Sequence, residues 1–148
     1  LVIIVVVYIA LRRDKLHALA AANYESRIRT LSLEDRLSCS PVTVHLQQLA
    51  GSNPPRMADT ADIRLLKTLV GDNIPSFHDA VNPSRQSLSE QEYVVCLLTR
   101  LSFSSVNIDR LTGVSEGYTS RLKSRLYKKL TGNDGNAKDF EHWIMALK

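Results

Sequence analysis

Residues 88–130 contain three short segments with helical spacing of apolar residues, joined by two tight turns. The first segment begins at Ser89, and Glu92 three residues later completes the pattern of a capping box. The second segment is followed by a turn around Gly113, where a left-handed backbone conformation favours glycine. Three short helices with a glycine-containing turn before the third have the shape of a helix-turn-helix unit.

The third segment, from Ser115 to about Leu130, is predicted to be a helix with two different faces. At about 100° per residue, Leu122, Leu126 and Leu130 fall on one side and predict the buried face. The opposite side carries small hydroxyls and long cations, and no acidic residue occurs from Gly117 to Thr131. Such a face suits the major groove of DNA, where cations meet phosphates and arginines reach guanine edges.

The candidate DNA-binding residues lie on this outward face and at the start of the helix. Ser115 is predicted to cap the helix, and its hydroxyl and the free backbone amides of the first turn suit a phosphate. Five cations fall within nine residues of the helix, namely Arg121, Lys123, Arg125, Lys128 and Lys129. The candidate set comprises Ser115, Tyr118, Ser120, Arg121, Ser124, Arg125 and Lys128.

The segment LSEQEYVVCLLTRLSFSSVNIDRLTGVSEGYTSRLKSRLYKKL (88–130) resembles the helix-turn-helix domain shared by LuxR-type regulators and the fourth region of bacterial sigma factors. The agreement is in the ungapped length from Ile108 to Leu130 and in ten positions. These are Ile108, Gly113, Val114, Ser115, Glu116, Gly117, Arg125, Lys128, Lys129 and Leu130. The sequence departs from that pattern at Ser102, Asp109 and Thr119, and Asp109 in place of a small alanine predicts looser packing of the second helix on the third.

The layout of the whole chain resembles a group of bacterial inner-membrane regulators. These proteins place sensory domains, often tetratricopeptide repeats, outside, followed by one membrane helix, a helical connector and a cytoplasmic DNA-binding domain. The Ser-Pro motif and short Leu-Ala helix of SPVTVHLQQLA (40–50), the LYKKLTG (126–132) and the Phe140 helix fit that layout. The resemblance implies a membrane-tethered transcriptional regulator that binds DNA.

Residues 1–11 (LVIIVVVYIAL) carry no charge and are followed at once by Arg12, Arg13 and Lys15. Eleven helical residues rise about 16 Å, roughly half of the hydrocarbon thickness of a bilayer. The segment is therefore expected to be the C-terminal half of a single transmembrane helix whose first half precedes residue 1. The flanking cations predict that residues 12–148 are cytoplasmic, at a bacterial inner membrane if the resemblance holds. The alternative is a buried strand, because Val and Ile favour strands.

Residues 12–38 are expected to form a connector helix, since Leu11 to Leu37 contain no Gly or Pro. One heptad position repeats as Ile9, Leu16, Asn23, Thr30 and Leu37, and another as Leu19, Ser26 and Leu33. This half-apolar seam leaves two interpretations open. One is a weak parallel coiled coil, which would make the chain a homodimer, and the other is a solvated single helix.

Residues 39–83 are predicted to form a small helical region, with the main boundary at NPSRQS (82–87). Ser40 before Pro41 predicts the start of one helix. A second helix is expected from about Asp59 to Val70 with Gly71 as its C-cap, and a third from Pro75 to Val81. The domain from 84 to 148 then closes with a short helix around Phe140 and Trp143, so the chain is expected to be all-α.

Composition excludes several other classes of protein. The chain is 44% hydrophobic with a net charge of +4, which is typical of a globular protein rather than of a disordered one. Cys39 and Cys96 are far apart, and the four histidines form no cluster, so neither a disulfide scaffold nor a metal site is predicted. We find no nucleotide-binding or hydrolase motif, and we expect no enzyme activity and no cofactor. The alternative function is an interaction module whose basic helix docks on an acidic partner such as an RNA polymerase subunit.

Overall fold

The computed structural model describes residues 1–30 and 32–148, with side chains for all of them except residues 24–30. Every regular element in these residues is a helix, which confirms the all-α prediction. The helices are α1 (Val2–Thr30), α2 (Leu33–Ser38), α3 (Pro41–Gly51), α4 (Thr60–Asn73), α5 (Pro75–Ala80), α6 (Glu90–Arg100), α7 (Ser105–Thr112), α8 (Tyr118–Thr131) and α9 (Ala137–Met145). They fall into two compact units, residues 1–36 and residues 37–148.

The first unit is dominated by α1, which includes the apolar segment 1–11. The apolar segment is therefore part of a helix and not a buried strand, and the side chains of residues 1–11 are all exposed. None of the described helices combines the length and the hydropathy that crossing a bilayer requires.

The expected connector helix is divided in two. The helix α1 ends at Thr30 and α2 begins at Leu33. Ser32 explains the new start, because the Asp35 amide donates to its hydroxyl at 3.2 Å. Leu37, expected on the coiled-coil seam, is instead buried in the core of the second unit. The seam positions Ser26 and Thr30 lie outside the described side chains.

The second unit joins the two regions that the sequence suggested were separate. The helix α3 packs against α7, and α4 packs against α6. Residues 82–87 form a turn tied back to α5, where the Arg85 guanidinium donates to the Asp79 carbonyl at 2.6 Å. One core therefore contains apolar side chains from both sides of the expected boundary, among them Leu46, Leu66, Phe77, Leu97, Leu98, Ile108, Leu126 and Phe140.

Helix ends in residues 39–83 follow capping chemistry only in part. Asp59 caps α4 in a reciprocal capping box with Asp62. The predicted C-cap Gly71 is wrong, because α4 continues through it to Asn73. Ser40 does precede α3, but its side chain makes no capping hydrogen bond. Cys96 is buried in the core of the second unit, and burial raises the pKa of its thiol.

Candidate nucleic-acid interface

The helices α6, α7 and α8 form the predicted three-helix succession. The capping box of α6 is present, with the Glu92 amide donating to Ser89 Oγ at 3.1 Å and the Ser89 amide donating to Glu92 Oε2 at 2.8 Å. Gly113 follows α7 in the left-handed conformation, with φ of 70°. A Cβ at this position would lie 2.5 Å from Sδ of Met57, whose exposed and flexible side chain can move aside, so it is the positive φ of the turn that requires glycine.

The helix α8 separates into a buried and an exposed face. Thr119, Leu122 and Leu126 are buried on the inward face. Ser120, Arg121, Arg125 and Lys128 are exposed, and Tyr118 and Ser124 are half-buried beside them. The structure therefore brings six of the seven predicted site residues onto one helix, and Ser115 lies exposed in the turn before it.

Lys123 does not belong to the basic surface. Its side chain is 0% exposed, and its Nζ lies 2.8 Å from Glu141 Oε1 on α9. Of the five cations in the predicted cluster, Lys123 is therefore lost to the core, where it packs and forms an ion pair between α8 and α9.

The other four cations differ in their partners. Lys129 Nζ lies 3.1 Å from Glu92 Oε2 and donates to the Ser87 carbonyl at 2.9 Å, so this side chain ties α8 to α6. Lys128 lies 3.0 Å from Asp134, in a pair that is largely exposed. Arg121 and Arg125 form no ion pair with any residue that the structure describes. These two arginines, one helical turn apart, are the cations of α8 that lie exposed without an ion-pair partner among the described residues.

The start of α8 differs from the prediction. The N-cap is Gly117, with φ of 81°, and not Ser115. The carboxylate of Asp109, on α7, accepts the Gly117 amide and the Thr119 amide, each at 2.9 Å. The first-turn amides that were expected to bind a phosphate are thus partly occupied by a protein carboxylate.

Asp109 also corrects the expectation of loose packing. The residue is 4% exposed, and its two hydrogen bonds join α7 to the first turn of α8. A carboxylate at a helix N-terminus also interacts favourably with the helix dipole. Sequence reasoning missed this role because the acid lies eight residues before the cap and acts across the turn.

The neighbouring Thr119 has a buried hydroxyl oxygen with no hydrogen-bond partner. Its amide is bound by Asp109, and its side chain is fully enclosed on the inward face. Thr119 is therefore a core residue, and it takes no part in the exposed surface.

Comparisons of the chain with protein-family models, with curated proteins and with solved structures give no match.

Proposed function

We propose that the chain is a DNA-binding transcriptional regulator that inserts the exposed face of α8 into the major groove. The observation that carries this proposal is the pair Arg121 and Arg125, which are exposed and form no ion pair within the described structure. The proposal is also supported by the packing of the opposite face, since buried Leu122 and Leu126 fix which side of α8 points outward.

The arginines, serines and lysine on this face of α8 have different roles in the proposal. Arg121 and Arg125 donate to guanine edges, because the guanidinium fork matches the two acceptors of guanine in the major groove. Ser120 and Ser124 are small enough for the helix to approach the bases closely. Lys128 lies further along the helix and contacts a phosphate, exchanging its exposed pair with Asp134 for the nucleic acid.

Asp109 changes how the phosphate backbone is held. Because its carboxylate already accepts two amides at the start of α8, it places a negative charge where the sequence predicted an anion site. Phosphate contacts are therefore assigned to side chains such as Lys128 and Tyr118 rather than to the helix N-terminus.

The test is a salt titration of DNA binding by the full chain and its variants. Arg121→Ala is expected to weaken binding by about 1–3 kcal/mol and to relax sequence preference. Lys128→Ala is expected to weaken binding to all sequences alike and to reduce the salt slope by about one unit. Arg64→Ala, an exposed arginine on α4, is the matched control and should bind as the parent does.

The same arginines support the second candidate, a module that docks on an acidic partner such as an RNA polymerase subunit. Arginine pairs well with carboxylates in bidentate geometry, and the spacing of Arg121 and Arg125 suits an acidic helix as well as a phosphate backbone. If DNA binds all variants equally and no better than a generic basic peptide does, while an acidic partner distinguishes Arg121→Ala from Arg64→Ala, the second candidate replaces the first.

We propose further that residues 1–11 tether the chain to a membrane, with residues 12–148 on the cytoplasmic side. The support is the apolar surface of this part of α1, exposed around the helix and followed by Arg12, Arg13 and Lys15. Homodimerisation through the seam positions further along α1, such as Leu16 and Leu19, is the alternative role of this helix.

Vesicle flotation separates these uses of α1. The double variant Val6→Asp and Ile9→Asp should abolish flotation of the full chain with phospholipid vesicles. Leu16→Asp and Leu19→Asp, equally exposed positions beyond the cationic cluster, form the matched control and should still float. If flotation does not depend on Val6 and Ile9, and only the Leu16 and Leu19 substitutions change the sedimentation behaviour, α1 serves self-association instead of membrane attachment.

A further inference from the structure

A pocket of about 420 Å³ lies within the second unit, between the α3–α4 region and the helix-turn-helix segment. Its walls come from α3, α4, α6 and α7, and from the residues just before α4 and α8. Most of its lining is apolar, including Leu46, Met57, Ile63, Val94, Leu98 and Val114. This volume falls in the range that accommodates small organic ligands, and a mostly apolar wall with a few polar groups is typical of such sites.

The charged groups in the pocket wall are both acidic. Asp62 and Glu90 line the pocket, whereas the side chains that pair with them, His45 and Lys67, do not. His45 Nε2 lies 3.0 Å from one Asp62 oxygen, and Lys67 Nζ lies 2.6 Å from Glu90 Oε1. The side chain of Glu90 is 65% exposed at this edge, so its carboxylate remains accessible to a second cation.

We propose that this pocket binds a small organic cation with an apolar body, such as a hydrophobic primary amine. The apolar part would replace water against Leu46, Val94 and Leu98, which is favourable in proportion to the area buried. The ammonium group would lie at the acidic edge beside Glu90. An anionic ligand is disfavoured there, because the accessible carboxylate of Glu90 would repel it.

The position of the pocket makes its occupant a neighbour of the turn before α8. Val114 lies in that turn and lines the pocket, and the Met57 sulfur packs against Gly113. The Ala58 amide also donates to the Leu111 carbonyl at 2.9 Å, so the segment before α4 is bound directly to the end of α7. The binding claim stands on the pocket alone and does not depend on DNA binding by α8.

The experiment uses three probes that share one apolar body and differ in charge: 2-naphthylmethylammonium, 2-naphthylmethanol and 2-naphthoate. Calorimetry with the full chain should show saturable 1:1 binding of the ammonium probe. The alcohol is expected to bind about tenfold more weakly, because it lacks the charge-assisted hydrogen bond. The carboxylate should bind more weakly still.

Two variants locate the site. Ala58→Phe fills the pocket and should abolish binding, whereas Ala61→Phe, at an exposed position on α4, should leave it unchanged. Glu90→Gln should reduce the affinity for the ammonium probe towards that for the alcohol, and it leaves the apolar wall intact. Circular dichroism checks that each variant is folded.

The proposal is overturned if the ammonium and alcohol probes bind equally well, or if no probe binds saturably. It is also overturned if a folded Ala58→Phe variant retains binding. Should Ala58→Phe fail to fold, Glu90→Gln decides the question, because unchanged affinity for the ammonium probe in that variant contradicts the assigned acidic edge.

Discussion

The helices α1 and α8 expose surfaces of opposite character. In α1 the large apolar side chains from Val2 to Leu11 are 50–78% exposed. In α8 the apolar side chains Leu122 and Leu126 are almost completely buried, and the exposed face carries Arg121, Arg125 and Lys128. Both segments are helical, so the difference comes from what each one packs against rather than from its secondary structure.

The contrast between the apolar surface of α1 and the cationic surface of α8 bears on the kind of partner that we propose for each helix. Water-exposed apolar side chains over several turns are unfavourable, which supports the proposal that a bilayer or another apolar helix covers the start of α1. The helix α8 has already buried its apolar face, and the surface left over attracts anions. The proposed tethering and the proposed recognition therefore involve different helices, in different compact units.

Truncating one leucine in each helix tests the contrast most strongly. Leu126→Ala should lower the free energy of unfolding by about 2–5 kcal/mol, because the leucine is 0% exposed and its loss leaves a cavity. Leu19→Ala, on the exposed surface of α1, should change it by no more than about 0.5 kcal/mol. Urea unfolding followed by circular dichroism measures both. Equal losses would show that α1 packs as firmly as α8 does.

The buried Lys123 gives the next largest effect. Glu141→Ala should cost about 3 kcal/mol, because it leaves the enclosed ammonium without its counter-charge. Lys123→Met should cost less, since the remaining Glu141 is 42% exposed and stays hydrated. Urea titrations of the two variants show which substitution lowers the free energy of unfolding more. If Lys123→Met is the more damaging change, or if it reduces the salt slope of DNA binding, Lys123 acts at the surface and not in the core.

The cap of α8 is expected to have a moderate effect. Asp109→Ala removes the acceptor of the Gly117 and Thr119 amides and should cost about 1–2 kcal/mol. Asp109→Asn retains one acceptor oxygen, so its stability should lie between those of Asp109→Ala and the parent. Glu116→Ala, an exposed acid in the same turn, is the control and should be close to neutral. Thermal unfolding of the three variants checks the order, and an Asp109→Ala protein as stable as the control would contradict the capping role.

The parts of the fold that the sequence predicted correctly depend on local chemistry. The capping box of Ser89 and Glu92 and the left-handed Gly113 involve residues within a few positions of one another, where spacing alone determines the geometry. Periodicity likewise identified the buried stripe of Leu122 and Leu126. For the same reason, periodicity within α8 correctly predicts that Ser120, Arg121 and Arg125 lie on the exposed face.

The parts that could not be predicted depend on contacts between distant segments. Lys123 is buried because Glu141 lies on α9, eighteen positions later, and spacing within α8 does not reveal that partner. Asp109 replaces Ser115 as the acceptor at the start of α8 because the turn folds α7 against it. The polar turn at 82–87 resembles a linker in sequence. In the structure, however, α3 before this turn packs against α7 after it, and α4 packs against α6.

The smallest expected effect is on the pH dependence of the contact between α6 and α8. Burial raises the pKa of Glu92, but hydrogen bonds from Ser89 and the Lys129 ammonium outweigh it, and the pKa is lowered overall from 4.5. A carboxyl whose pKa is lower in the folded protein stabilises the fold above its unfolded pKa, and that stabilisation is lost as the pH falls through the folded pKa.

Between neutral pH and pH 3, Glu92→Gln should therefore lose less stability than the parent, by at most about 1 kcal/mol. Urea midpoints at several pH values measure this difference, with Glu116→Gln as the exposed control. A steeper acid loss in Glu92→Gln than in the parent would mean that the contact between Glu92 and Lys129 does not stabilise the join between α6 and α8.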